Sequence, residues 1–267
     1  MRLANLLPVS VALAVVVAAG ALYVSRSAVS LDPVASAAVK TAHAGSYRMQ
    51  FTADVAAASA HMTMSGSGVA DPASGAAELD MRLTGLPTSS GQTEPDVRMI
   101  LAGGALYMRV TPLQSVLPAG KTWLKVDAAR LGRAGFGAPL GQADPSQWLD
   151  ALRTVAAVRR VGTDTVQGEQ MTHYRAAVDL SNLDGLPVAE RAATRAALRT
   201  LGIRTVPVDV WVDAAGLVRR ESLALDTSVV QMTMTADLSD FAAPVSVSPP
   251  PASEVVDAAS VAAGATP

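Results

Sequence analysis

The sequence contains no cysteine. That absence excludes disulfides, thiol nucleophiles, Cys-ligated zinc and iron–sulfur clusters, and it removes the residue that a bacterial lipoprotein acylates. Charged residues are scarce at 16%, and they nearly balance, leaving a net charge of −2. Such a chain is neither a basic nucleic-acid binder nor a charge-rich coiled coil. Aromatic residues reach only 4%, so the core must find most of its filling elsewhere. Histidine occurs at His43, His61 and His173 alone, with no His-x-His or zincin spacing, and reads as surface or strand-facing. No Gly-x-Ser-x-Gly or Ser-x-x-Lys occurs, and Gly66-Ser67-Gly68 lacks the spacing of a dinucleotide loop. The carboxylates are scattered, and no spacing nominates an acid–base pair. These absences point to a protein that is not an enzyme and needs neither cofactor nor metal.

What is present is apolar: half of the 267 residues are hydrophobic, enough for a sizeable domain with appendages. Leu6 to Val24 form one apolar run between Arg2 and Arg26. Its length suits either a secretory signal peptide or a retained signal anchor. Ala35-Ser36-Ala37 and Val17-Ala18-Ala19 have the small-residue form of a cleavage site. Both readings export the remainder, to the outer face of the cytoplasmic membrane or to the envelope as a secreted protein. Residues 1–31 are thus a targeting segment, and residues 32–243 the domain. Residues 244–267, with Pro249-Pro250-Pro251 and an Ala/Ser/Val-rich end, read as a flexible, disordered tail.

Within the domain, apolar residues recur every second position. Tyr47-Met49-Phe51, Met62-Met64, Leu79-Met81-Leu83, Val97-Met99-Leu101 and Leu106-Met108-Val110 each predict a strand with one buried face. Further strands are predicted at 122–126, 158–163, 174–178, 206–212, 217–225 and 230–236. Gly103-Gly104 and Asp213-Ala214-Ala215-Gly216 are hairpin turns, 166–169 is a turn, and Asp71 to Gly75 is another. Three helices are punctuated by proline near the first position: Asp32-Pro33 to Gly45, one from Asp144-Pro145, and Leu186-Pro187 to Gly202. Hairpin-joined strands with helices inserted as blocks predict an α+β fold with an antiparallel sheet.

Methionine stands out. Met49, Met62, Met64, Met81, Met99, Met108, Met232 and Met234 share the apolar parity of their strands, whereas Met171 precedes its strand. Methionine is unbranched and polarizable and suits surfaces that must fit several shapes. These residues are either ordinary core or the lining of a soft apolar cavity. The cavity reading adds Phe51, Leu83, Leu101, Val208 and Val210 to Met49, Met62, Met64, Met81, Met99, Met108, Met232 and Met234 as ligand-binding candidates. Arg191, Arg195 and Arg199 recur at helical spacing on the third helix. They form either a solvated face or a docking stripe for anionic membrane.

Ser46-Tyr47-Arg48-Met49-Gln50-Phe51, Ala105-Leu106-Tyr107-Met108-Arg109, Lys121-Thr122-Trp123-Leu124-Lys125-Val126-Asp127 and the hairpin from Val206 to Arg220 follow one another in order. In these motifs the domain resembles the LppX/LprG group of actinobacterial envelope proteins, related in fold to LolA-type carriers. The resemblance implies a strongly curved antiparallel half-barrel, with helices packed on its concave side and lipid acyl chains in the cavity between. It implies a function in lipid or lipoprotein transport or in envelope maintenance. The expected partners are a lipid or acylated molecule, the membrane surface and an envelope protein, with no nucleic acid and with the chain as a monomer. The group's members are typically lipoproteins, and here no cysteine is available for acylation. The alternative on the same fold is a membrane-anchored extracytoplasmic sensor or protein-interaction module.

Overall fold

The period-two segments assemble into a single sheet. A computed structural model of the chain describes residues 33–57, 60–85, 94–111, 117–127, 156–179, 204–227 and 230–264. The strands are β1 (Tyr47–Ala57), β2 (Ala60–Asp71), β3 (Ala76–Thr84), β4 (Asp96–Ala102), β5 (Ala105–Val110) and β6 (Trp123–Asp127). They continue as β7 (Ala156–Val166), β8 (Glu169–Asp179), β9 (Thr205–Val212), β10 (Val218–Asp226), β11 (Val230–Ser239) and β12 (Val255–Asp257). Helix α1 is Pro33–Ala42 and α2 is Ala258–Gly264.

The 12 strands lie in the order β12-β6-β5-β4-β3-β2-β1-β11-β10-β9-β8-β7. Two meanders, β1 to β6 and β7 to β11, join where β1 pairs antiparallel with β11. The sheet is curved and does not close, leaving β12 and β7 as its edges. Among the described residues the molecule is mostly sheet, which narrows the α+β expectation. The two later helices, from Asp144 and from Leu186, lie outside the described residues.

The turns follow from their residues. Gly103 and Gly104 take φ of 58° and 72°, the positive values that a two-residue hairpin between twisted strands requires. In the β9–β10 turn, Asp213 Oδ1 accepts the Leu217 N–H at 2.9 Å and Gly216 sits at φ 77°. The turn expected at 166–169 is Gln167-Gly168.

Helix α1 ends at Ala42, three residues short of the expected Gly45. It packs Val34, Ala37 and Ala38 into one core cluster with Tyr47, Val210 and Val218. Thr41 stitches it to β10: its hydroxyl donates to the Ala37 carbonyl (2.7 Å) and accepts from the Val218 N–H (2.8 Å). A buried N–H that lost that acceptor would cost about 1–3 kcal/mol.

Two expectations need correction. Met171 does not precede its strand: it lies inside β8, buried on the parity opposite the other methionines. Residues 244–264 also do not behave as a structureless tail. Val255–Asp257 add to the edge of β6 as a parallel strand, a departure from the all-antiparallel pattern. Val247 and Val255 pack against a cluster of Ile100, Ala102 and Trp123. The Thr122 N–H donates to the Glu254 carbonyl at 2.9 Å, and Lys121 Nζ to the Ser253 carbonyl at 2.7 Å. The physical reason is reciprocal: β4 to β6 carry an apolar patch of Ile100, Ala102 and Trp123, and the terminal segment supplies the valines that cover it.

Candidate functional site: the apolar face of the sheet

Pairing register decides which side chains share a face, because directly opposed residues point the same way. One row runs Val97, Met81, Gly66, Phe51, Ala236, Glu221, Val210 and Tyr174. The next holds Leu83, Met64, Ala53, Met234, Leu223 and Val208. Beyond it Met62, Val55, Met232 and Leu225 stand side by side. On the other flank lie Met108, Met99, Leu79, Gly68, Met49 and Leu238, with Leu101 and Leu106 paired above them. Every residue named from the sequence as an apolar-site candidate in the strands therefore falls on one face.

The face is graded in exposure. Met62, Met99, Met232 and Met234 are buried, as are Phe51, Val208 and Val210. Met49, Met64, Met81, Leu83, Leu101 and Met108 are half-buried and pack against the buried set. Two clusters result. One gathers Met62, Val208, Val210 and Met232 around α1, and the other gathers Phe51, Leu79, Met99 and Leu106. Phe51 covers Gly66, where a side-chain carbon would stand 2.6 Å from its ring. The glycine thus lets the large ring lie flat against the sheet.

One residue breaks the apolar pattern. Among the described residues of this face in β1 to β6 and β9 to β11, Glu221 carries the one carboxyl. It is 6% exposed, and its Oε1 has no hydrogen-bond partner. Burial pushes the carboxyl up to about 7. It was legible as the polar member of Glu221-x-Leu223-x-Leu225, at the parity of two core leucines, but charge alone drew no attention to it.

Beyond the Ile100, Ala102 and Trp123 patch, the opposite face is largely polar and paired. A groove of about 720 Å³ runs across it, lined by Gln50, Thr52, Ser65, Ser67, Arg98 and Arg109 among others. Of the apolar candidates only Phe51 and Met81 reach it, so this groove is not the apolar cavity expected from the sequence. Its charges are largely matched, Arg82 with Asp96 at 2.9 Å, Arg220 with Asp237 at 2.6 Å, and Arg98 with Glu78.

Also on the polar side, at β7 to β9, His173 is buried and bracketed by two carboxylates. Asp164 Oδ2 lies 2.9 Å from Nδ1, and Asp209 Oδ1 lies 2.7 Å from Nε2. The imidazole stacks on Trp211 with centroids 4.4 Å apart, and the indole N–H donates to Asp164. Burial opposes ionisation of Asp209, but the hydrogen bonds from Arg175 and His173 hold its carboxyl below the usual range. No group of three His, Cys, Asp or Glu that could hold a metal occurs among the described residues. Arg191, Arg195 and Arg199 lie outside the described residues, as does the Leu6–Val24 run. No described helix is long and apolar enough to cross a membrane.

No protein-family profile matches the chain. An uncharacterized 31.2 kDa protein of Streptomyces griseus is 29% identical over 161 residues, which is 57% of this chain and 53% of that protein. The chain thus spans about half the length of that relative. A candidate lipoprotein of Streptomyces coelicolor is 27% identical over 254 residues, 87% of this chain and 78% of its own. Among solved structures the chain is similar to LprF from Mycobacterium bovis, with a TM-score of 0.48 and 14% identity over 82% of this chain and 95% of LprF. It is also similar to the Mycobacterium tuberculosis lipoprotein LppX, with a TM-score of 0.44 and 15% identity over 81% of this chain and 100% of LppX.

Proposed function

We propose that this chain is an exported, non-enzymatic protein that binds lipid, holding acyl chains against the apolar face of its curved sheet. The observation that carries the reading is the shared face of Met49, Met62, Met64, Met81, Met99, Met108, Met232 and Met234. An ordinary core rewards branched side chains with few rotamers. Methionine, with its extra rotatable bond, adapts to a mobile chain instead. The half-buried members supply the adaptable lining, and the buried members hold the sheet beneath it. Binding would serve lipid transport or maintenance of the envelope, in keeping with the Leu6–Val24 export segment.

Native mass spectrometry of the full chain, purified from membrane extract, tests this reading. A discrete added mass that fragments to a fatty acyl species supports it. Apo protein that also takes up no fluorescent fatty acid overturns it, and a stoichiometric protein partner in its place favours the interaction-module alternative.

We also propose that Arg191, Arg195 and Arg199 dock the protein on anionic membrane. Changing all three to glutamine should weaken binding to phosphatidylglycerol vesicles at low salt. The difference should fade above about 0.5 M salt, where charges are screened within a few ångströms. Equal binding at low salt contradicts it.

A further inference from the structure

Glu221 sits where an aliphatic side chain would be expected. Its strand neighbours across the ladder are Val210 on β9 and Ala236 on β11. Leu223 follows it on the same face, and Met234 and Leu238 flank Ala236. Val210 and Leu223 belong to the cluster beneath α1, whereas Ala236 packs against the Phe51 cluster. The carboxyl therefore stands at the junction of the two halves of the apolar face. It is 6% exposed and its Oε1 has no partner. Arginine does not reach it: Arg219 engages Asp213 and the Leu238 carbonyl, and Arg220 engages Asp237 on the other face.

A buried acceptor without a donor lowers stability, and a leucine there would not. Buried polar groups left unsatisfied by the protein mark places where something else completes them. The surroundings restrict what that is. An ammonium would place an ion pair on an apolar face with no further hydrogen bonds to support it, an arrangement whose desolvation cost commonly exceeds its Coulombic gain. A fatty carboxylate would set two anions side by side, which disfavours ionisation of both. A neutral hydroxyl fits either state of the carboxyl, since it both donates and accepts.

We propose that Glu221 is the polar contact of the lipid site, hydrogen-bonded to a free hydroxyl carried next to the acyl chains of a neutral lipid, as in a diacylglycerol. The proposal rests on the lipid reading of the methionine face and adds a chemical class to it. Small Ala236 beside the carboxyl leaves its flank clear of a bulky side chain. The half-buried Met49, Met64 and Met81, in the strands beyond Ala236, lie on the side where the chains would run.

The test compares two fluorescent probes on the full chain: a labelled 1,2-diacylglycerol and the same molecule with its hydroxyl capped as the methyl ether. Wild type should bind the hydroxyl form about tenfold more tightly, the scale of one hydrogen bond. Glu221→Leu should bind both alike, while Glu221→Gln, whose amide still donates and accepts, should keep the preference. Equal binding of the two probes by wild type overturns the assignment and leaves the lipid reading standing. So does a preference that survives in Glu221→Leu. Tighter binding of the corresponding amine overturns the hydroxyl class, and uptake of neither probe overturns this assignment, the lipid reading falling with it only where the native protein also carries no acyl species and takes up no fluorescent fatty acid. The wild-type comparison needs no variant, so it decides the point even where a substitution disturbs folding.

Discussion

Glu221 is the residue at which stability and function pull apart. Its folded pKa of about 7 lies well above the ordinary glutamate value of 4.5, and burial is the cause. The folded protein therefore holds a proton across this interval that the unfolded chain has released, so stability falls as pH rises from 4.5 to about 7. The accumulated loss above that window is about 3 kcal/mol. Glu221→Gln should be nearly neutral at pH 4 and should gain about that much over wild type at pH 8. Urea denaturation of both proteins across this range reads the difference, in which contributions shared by the two, such as that of Asp209, cancel. Parallel stability curves would mean that the carboxyl is solvated. The same residue shows the limit of reading by composition: its parity with Leu223 and Leu225 was visible, but whether a donor waited across the ladder depended on Val210 and Ala236, which no local window contains.

At the scale of elements, alternation located the strands because one face is apolar and the other wet, and a slip of one residue would invert every side chain. The glycine turns at 103–104 and 216 were legible for a similarly local reason: few other residues adopt their positive φ. The terminal strand was not. Val255–Asp257 has too few residues to show a period, and its place at the β6 edge depends on Ile100, Ala102 and Trp123 more than a hundred residues away. Its removal has a definite consequence. Ending the chain at Pro251 uncovers the β6 edge and the apolar patch beneath Val255, and free edges of that kind recruit other strands. The shortened protein should lose about 1–3 kcal/mol, the scale of a few backbone hydrogen bonds and a buried valine. It should also elute as larger species with rising concentration in size-exclusion chromatography, whereas the full chain should not. An unchanged elution profile would show that β12 does not guard the edge.

For the whole molecule, the sheet separates two chemistries. The polar face matches its charges in pairs that contribute little individually to stability, and the apolar lining of its groove is limited to Phe51, Met81 and Val97. The other face runs apolar from β6 to β9, with Glu221 its one carboxyl among the described residues of those strands. A sheet this wide with one apolar side must keep that side from water. In the proposed function, acyl chains lying along the methionines take part of that task. The most direct measurement is photocrosslinking with a diazirine-bearing fatty acid or diacylglycerol, followed by peptide mapping of the labelled full chain. Label is expected on Met49, Met64, Met81, Met108 and their neighbours on that face, reduced by unlabelled lipid. Label confined to the polar groove around Arg98 and Arg109, or none at all, would contradict the proposed function.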